Sequence, residues 1–170
     1  GSLIKCNPAV KAPRHKTKLL EALLNDTFDV IASDHAPHTW EEKSNLYLKA
    51  PSGLPLVQHT LVMMMELYHR GQISLEKVVE KMCHAPAICF RLRNRGFIRE
   101  GYAADLVLID LNKKSTVDKS NTFYKCGWSP LEGETFRTSI DSTFVNGNLV
   151  YKQGVFHEGI CGERLLFNGL

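Results

Sequence analysis

Apolar residues in the first half of the chain follow two rhythms. Leu19, Leu20, Leu23 and Leu24 recur at three and four positions, the period of one helix face, and predict a helix over about 16–24. Val30, Ile31 and Ala32 form a short unbroken apolar run instead, as a strand buried on both faces does, and Pro37 forbids helix directly after it. A strand ending at Asp34 is therefore expected, with another over 2–6 that Asn7-Pro8 stops. A long polar loop through Pro51-Ser52-Gly53 leads to a predicted helix over about 56–68. A further helix is expected from Ser74, a plausible N-cap, to about Cys83, and Pro86 allows one more turn ending by Arg93.

Beyond Gly96 the rhythm changes. Residues 97–98, 106–109, 143–145 and 149–151 are short β-like runs, and Asn146-Gly147 between the last two is the dipeptide of a tight hairpin. A boundary near residue 95 is expected, with an α/β part over 1–95 and a β part over 96–170. The order strand, helix, strand, loop, helix in the first part belongs to a parallel α/β sheet or barrel. Two strands cannot close a barrel, and a two-stranded parallel sheet with free edges is a poor core, so the first part reads as a piece of something longer.

Composition narrows the class. With 44% hydrophobic and 23% charged residues the chain is neither disordered nor fibrous. No apolar run reaches the roughly 20 residues of a bilayer span, and no signal-peptide pattern opens the chain, so a soluble cytoplasmic protein without a membrane partner is expected. The five cysteines are odd in number and scattered, with no C-x-x-C pair for a structural zinc site or a redox dithiol. Lys5, Lys11, Arg14, Lys16 and Lys18 cluster early, but a net charge of +3 does not call for nucleic acid; they read as a solvated face.

The candidate chemistry lies in Asp34-His35-Ala36-Pro37-His38, directly after the apolar run. A carboxylate at a strand end can bind a metal, move a proton, or do both in turn. His35 follows on the strand, so its side chain points away from that of Asp34 and is expected to be structural. His38, after the stiff Ala36-Pro37 turn, can swing back to the same mouth. Other features read as packing: Met63-Met64-Met65 as irregular core filler, Cys83-His84 and His59 as helix residues, Trp128 as a seal between the two parts.

These residues carry a specific resemblance. Ser33-Asp34-His35-Ala36-Pro37-His38-Thr39, with Glu42-Lys43 after it, resembles the signature of dihydroorotases, the zinc-dependent cyclic amidohydrolases of pyrimidine synthesis. Lys5-Cys6-Asn7-Pro8 resembles the same family's preceding strand end. Residues 96–101 with Ala104-Asp105-Leu106-Val107 resemble its return to the small β domain, and Trp128-Ser129-Pro130 with Val145-Asn146-Gly147 its tail.

The resemblance implies the C-terminal part of a (β/α)8 TIM-like amidohydrolase barrel over 1–95 and a small β-sandwich domain over 96–170. It implies an enzyme that interconverts N-carbamoyl-L-aspartate and L-dihydroorotate with two Zn2+ per active site. Asp34 would be a ligand of the buried zinc and the proton shuttle; Asn7 and His38 would hold the substrate carboxylate; backbone groups of Ser52 and Gly53 would contact the ring. Many relatives carry an aromatic residue where Ser52 stands, which leaves the backbone contact but not a side-chain one. A homodimer, and aspartate transcarbamoylase as a neighbouring enzyme, are the implied partners.

The family's His-x-His pair, bridging carboxylated lysine and two later metal histidines have no counterpart here. Because a zinc site takes about four ligands, the segment alone is expected to be inactive. Two other readings stay open: a hydantoinase or allantoinase relative, and a non-catalytic homologue that partners a neighbouring enzyme.

Overall fold

The computed structural model describes residues 1–169. Helices fill the first half. α1 spans Pro13–Leu24 and starts ahead of its leucine stripe, because proline at the first helical position gives up an N–H that would find no partner there. α2, Trp40–Lys43, lies inside the stretch expected to be loop. Thr39 caps it: its hydroxyl accepts from the Glu42 N–H at 3.2 Å, and the Glu42 carboxylate accepts from the Thr39 N–H at 2.9 Å. α3 spans Thr60–His69 and α4 Leu75–Val79, the latter capped by the Ser74 hydroxyl as expected. The chain then widens into a π turn over Glu80–His84 before α5, Ala85–Cys89. Pro86 supplies the cause, since it has no N–H to continue the ladder and its ring crowds the carbonyl four residues back. No helix of the described residues is long and apolar enough to cross a membrane.

Neither strand expected in the first half forms. Residues Ser2–Ile4 make a single 3-10 turn. The run through 30–32 joins no ladder: the Ile31 N–H donates to the Lys81 carbonyl, and the β contact nearest to it among the described residues is an isolated parallel bridge between His35 and Leu54. Strand propensity makes a segment extended, but a strand also needs a neighbouring chain about 4.8 Å away. Among the described residues the backbone hydrogen bond of this run goes to the π turn at Lys81. Asp34 therefore sits at a left-handed turn with φ +47°, not at the end of a ladder.

The second half holds a four-stranded antiparallel sheet in the order β1-β4-β5-β6, from Leu106–Asp110, Ser139–Val145, Asn148–Lys152 and Val155–Phe156. β2, Ser115–Thr116, and β3, Thr135–Phe136, form a separate pair. Val145 faces Asn148 across the predicted hairpin, whose Asn146 and Gly147 have φ +50° and +80°, the double left-handed turn that suits the twist of the strands. Residues 97–98 are not a strand. The Phe97 ring instead stacks on His84 at 4.4 Å between centroids, with the Arg99 guanidinium 4.5 Å from it.

Two apolar clusters tie these parts together through α3. Met65, fully buried, forms one cluster with Leu23, Ile73 and Val78, against which Ile109 and Leu111 from the second half pack. Val62, on another side of the same helix, packs with Val117 and Phe136. The methionine run is core, as expected, and the change of element type near residue 95 does not separate the packing.

A buried lysine sets the path toward Asp34. Lys81, only 2% exposed, donates to the Phe28 carbonyl at 2.7 Å and pairs with Asp26 at 2.9 Å. Hydrogen bonds from Lys77 and Lys81 hold the Asp26 carboxyl down at about 2. Because the folded value lies below the unfolded one of roughly 3.9, this contribution is complete above pH 4 and is lost as pH falls toward 2. Asp26→Asn is accordingly expected to lower the melting temperature at pH 6 and to flatten its fall between pH 4 and 2. Parallel melting curves for the two proteins across that window would count against the pairing.

Candidate functional site

Three segments meet around His38. The first carries Lys5 and Asn7, the second runs from Asp34 through α2, and the third is the loop 46–54. Backbone bonds fasten them: the Gly53 N–H donates to the Lys5 carbonyl at 3.0 Å and the Ala36 N–H to the Leu54 carbonyl at 3.0 Å. Gly53 has to be glycine. It is buried with φ +139°, and a Cβ there would overlap the Ala36 side chain and come within 3.2 Å of the His38 ring.

Two lysine side chains complete the fastening. Lys43, at the end of α2, is 0% exposed, and its ammonium donates to the Lys5 carbonyl at 2.8 Å and the Pro51 carbonyl at 3.0 Å. Lys5 returns the contact, donating to the carbonyls of Tyr47 and Ala50 at 2.7 Å each. Burial pushes the Lys43 ammonium below the usual lysine range. Within the described residues no carboxylate pairs with either lysine. Along the chain Lys43 stands only as part of a motif, and no pattern marks its burial, because lysine is ordinarily a surface residue.

Asp34 is exposed, as is Asn7, and the Asp34 carboxylate makes no hydrogen bond or ion pair within the described residues. Its left-handed backbone is one that aspartate tolerates better than most side chains. His38 Nε2 lies 3.2 Å from the Ser52 carbonyl, which can only accept, so Nε2 carries a proton and donates. Nδ1 faces the Glu42 carboxylate at 3.6 Å. The indole N–H of Trp128, itself 3% exposed, donates to the His38 carbonyl at 2.8 Å, and Trp40 packs edge-on against the same indole. The seal expected of Trp128 is thus made directly on the loop that carries His38.

His35 is structural as expected, although no strand forms to make its side chain alternate with that of Asp34. Its Nδ1 accepts from the N–H groups of Leu56 and Val57 at 3.1 and 3.3 Å, tying down the chain ahead of α3. His59 is buried beyond it, with Nδ1 hydrogen-bonded to the Tyr124 hydroxyl at 3.0 Å; burial lowers the histidine pKa and raises that of the tyrosine. A cavity of about 350 Å³ beside His59, bounded by Val62, Thr143, Tyr151 and Phe156, does not reach Asp34 or His38.

The open groups of the cluster are therefore the Asp34 carboxylate, the Asn7 amide, and the Ser52 N–H and Gly53 carbonyl, whose bonds within the described residues are unmade. Such a set can accept and release a proton and can hold a small polar ring. Among the described residues no three of His, Cys, Asp and Glu form a group that could hold a metal ion.

The sequence profile of the amidohydrolase family matches residues 5–150. The dihydroorotase of Pyrococcus abyssi (strain GE5 / Orsay) is 34% identical over 169 residues, which cover 99% of this chain and 40% of that protein. The allantoinase of Desulfitobacterium hafniense (strain Y51) is 30% identical over 166 residues, 97% of this chain and 37% of that one. Among solved structures, the L-hydantoinase (dihydropyrimidinase) from Arthrobacter aurescens superposes with a TM-score of 0.86 at 31% identity, over 92% of this chain and 36% of its own. The chain thus spans about two fifths of the length of the curated relatives it matches.

Proposed function

The chain belongs to the amidohydrolase family, and from that premise we propose that it forms the C-terminal portion of a dihydroorotase, with residues 1–95 in the metal-dependent barrel and 96–170 in a small β domain. The enzyme opens and closes a cyclic amide, interconverting L-dihydroorotate and N-carbamoyl-L-aspartate. The observation that carries this reading is the fastening of the loop that bears Asp34 and His38 to the Ser52-Gly53 loop, and of that loop in turn to Lys5, two residues before Asn7. Relatives bearing the dihydroorotase name, among them those of Pyrococcus abyssi and Clostridioides difficile, support it at 34 and 35% identity.

Ring opening leaves a nitrogen that needs a proton. Asp34 takes that proton from the attacking water and delivers it to the departing amide nitrogen, which its exposure and lack of bonded partners permit. The Asn7 amide donates to the substrate carboxylate. His38 joins it through Nε2 on leaving the Ser52 carbonyl. The Ser52 N–H and Gly53 carbonyl match the acceptor and donor edges of the ring.

Zinc supplies a nucleophilic hydroxide near neutral pH in enzymes of this chemistry. The described residues do not make a zinc site by themselves, since Asp34 offers one ligand and about four are needed. Of the ligands such a zinc would need, this chain would supply that carboxylate.

Substrate preference tests the reading. The full-length protein is expected to turn over dihydroorotate in preference to hydantoin and allantoin, and His38→Ala to raise KM for dihydroorotate about tenfold or more with a smaller loss in kcat, in line with removal of one charge-assisted hydrogen bond. Preference for a ring without a carboxylate would assign the chain to the hydantoinase or allantoinase branch instead. A homodimer, read by light scattering, and association with aspartate transcarbamoylase, read by co-sedimentation, are expected of the same full-length protein.

A further inference from the structure

Lys43 is the least expected residue near the cluster. A fully buried ammonium is costly, and it persists where its hydrogen bonds hold something in place. Here it holds two carbonyls on different segments: Lys5, two residues before Asn7, and Pro51, directly before Ser52. The Lys5 carbonyl it binds also receives the Gly53 N–H at 3.0 Å. The Lys5 side chain closes the loop from the other direction through Tyr47 and Ala50. α2, which carries Lys43, begins at the capping box directly after His38. One side chain thus spans all three segments that bear the proposed substrate contacts.

We propose that Lys43 is a positioning and specificity residue, which sets the spacing between Asn7, His38 and the Ser52-Gly53 loop and, with Lys5, makes that mouth select an anionic ring. The proposal rests on the functional reading above. Its chemistry is simple: the two ammonium groups have no paired carboxylate within the described residues, so the field they leave at the Asn7 and Ser52 backbone favours a substrate that brings its own negative charge. Lys43 does not touch substrate. Its effect passes through the two carbonyls, and methionine, of nearly the same length, would fill its space without making either bond.

The test uses the full-length protein. Lys43→Met is expected to raise KM for dihydroorotate at least tenfold while kcat stays within about threefold, because Asp34 and its proton transfer are untouched. The same change should shrink the preference for dihydroorotate over neutral dihydrouracil by a similar factor. Lys43→Ala should regain affinity with added propylammonium but not with propanol, a rescue that a space-filling role does not produce. Amide exchange in the 46–54 peptide, read by mass spectrometry, should speed up at least tenfold in Lys43→Met whether or not the enzyme is active. If that variant fails to fold, Lys5→Met, which keeps the Lys5 carbonyl, should show the same KM rise to a smaller degree.

An unchanged KM in the Lys43→Met enzyme, equal losses in kcat and KM terms without amine rescue, or an unchanged Lys5→Met enzyme where Lys43→Met does not fold would overturn the role of Lys43. Failure of the wild-type protein to turn over dihydroorotate would overturn the functional reading instead. The exchange measurement, and KM for whichever cyclic amide is hydrolysed, would then still decide whether Lys43 spaces the mouth.

Discussion

Asp34→Ala in the full-length enzyme is expected to lower kcat by about 10³-fold, the middle of the range for loss of a positioned general acid and base, and by more if the carboxylate also binds metal. The fold should survive the change. Asp34 is exposed and its carboxylate holds no neighbour within the described residues, so its removal strands no buried donor. Its left-handed backbone is a mild strain that alanine bears slightly less well, which limits the cost to a few tenths of a kcal/mol up to about 1 kcal/mol. Turnover in both directions, beside a melting curve, separates the two effects. Turnover within tenfold of wild type would remove Asp34 from the chemistry, whereas loss of turnover with an unfolded protein would show that the turn itself was the casualty.

Gly53→Ala should act the other way, through structure first. The added methyl would enter space held by Ala36 and press on the His38 ring, in a backbone conformation that side chains rarely adopt. Overpacking and the disfavoured φ together predict a loss of about 2–4 kcal/mol. Because the clash presses on the His38 ring and on the loop whose Gly53 N–H bonds the Lys5 carbonyl, substrate affinity should fall with stability. Denaturant unfolding and KM measured on the same preparation test this; a variant with wild-type stability would mean that the loop 46–54 moves more freely than its bonds imply.

Much of this was legible along the chain. The hairpin at Asn146-Gly147 follows from local chemistry, since few residues other than asparagine and glycine accept two left-handed positions in succession. β4, β5, the Ser74 cap and the burial of Met65 are equally local, each set by period, cap or turn type. The candidate cluster was legible for the same reason: Asp34, His38 and the stiff Ala36-Pro37 link lie within five residues, and no folding is needed to see that they share a loop.

What failed were readings that needed a neighbour. The run at 30–32 has the composition of an interior strand, yet a strand is a property of two chains, and here the bonded backbone belongs to Lys81 within the π turn. α2 was hidden in a polar stretch because a four-residue helix has no period to read, only its cap. Lys43 and Lys81 were invisible as buried residues, since nothing in a lysine codon's surroundings says that its ammonium will find carbonyls 38 and 53 residues away.

The sequence by itself therefore determined the family, the acid and imidazole of the cluster, and the turn that presents them, because these depend on residue type and spacing within a few positions. Tertiary structure decided which groups those residues face. It turned His35 toward the chain ahead of α3, spent the His38 Nε2 proton on Ser52, and brought Lys5, Lys43 and Gly53 together, because hydrogen-bond partners distant in sequence are chosen by packing and not by pattern.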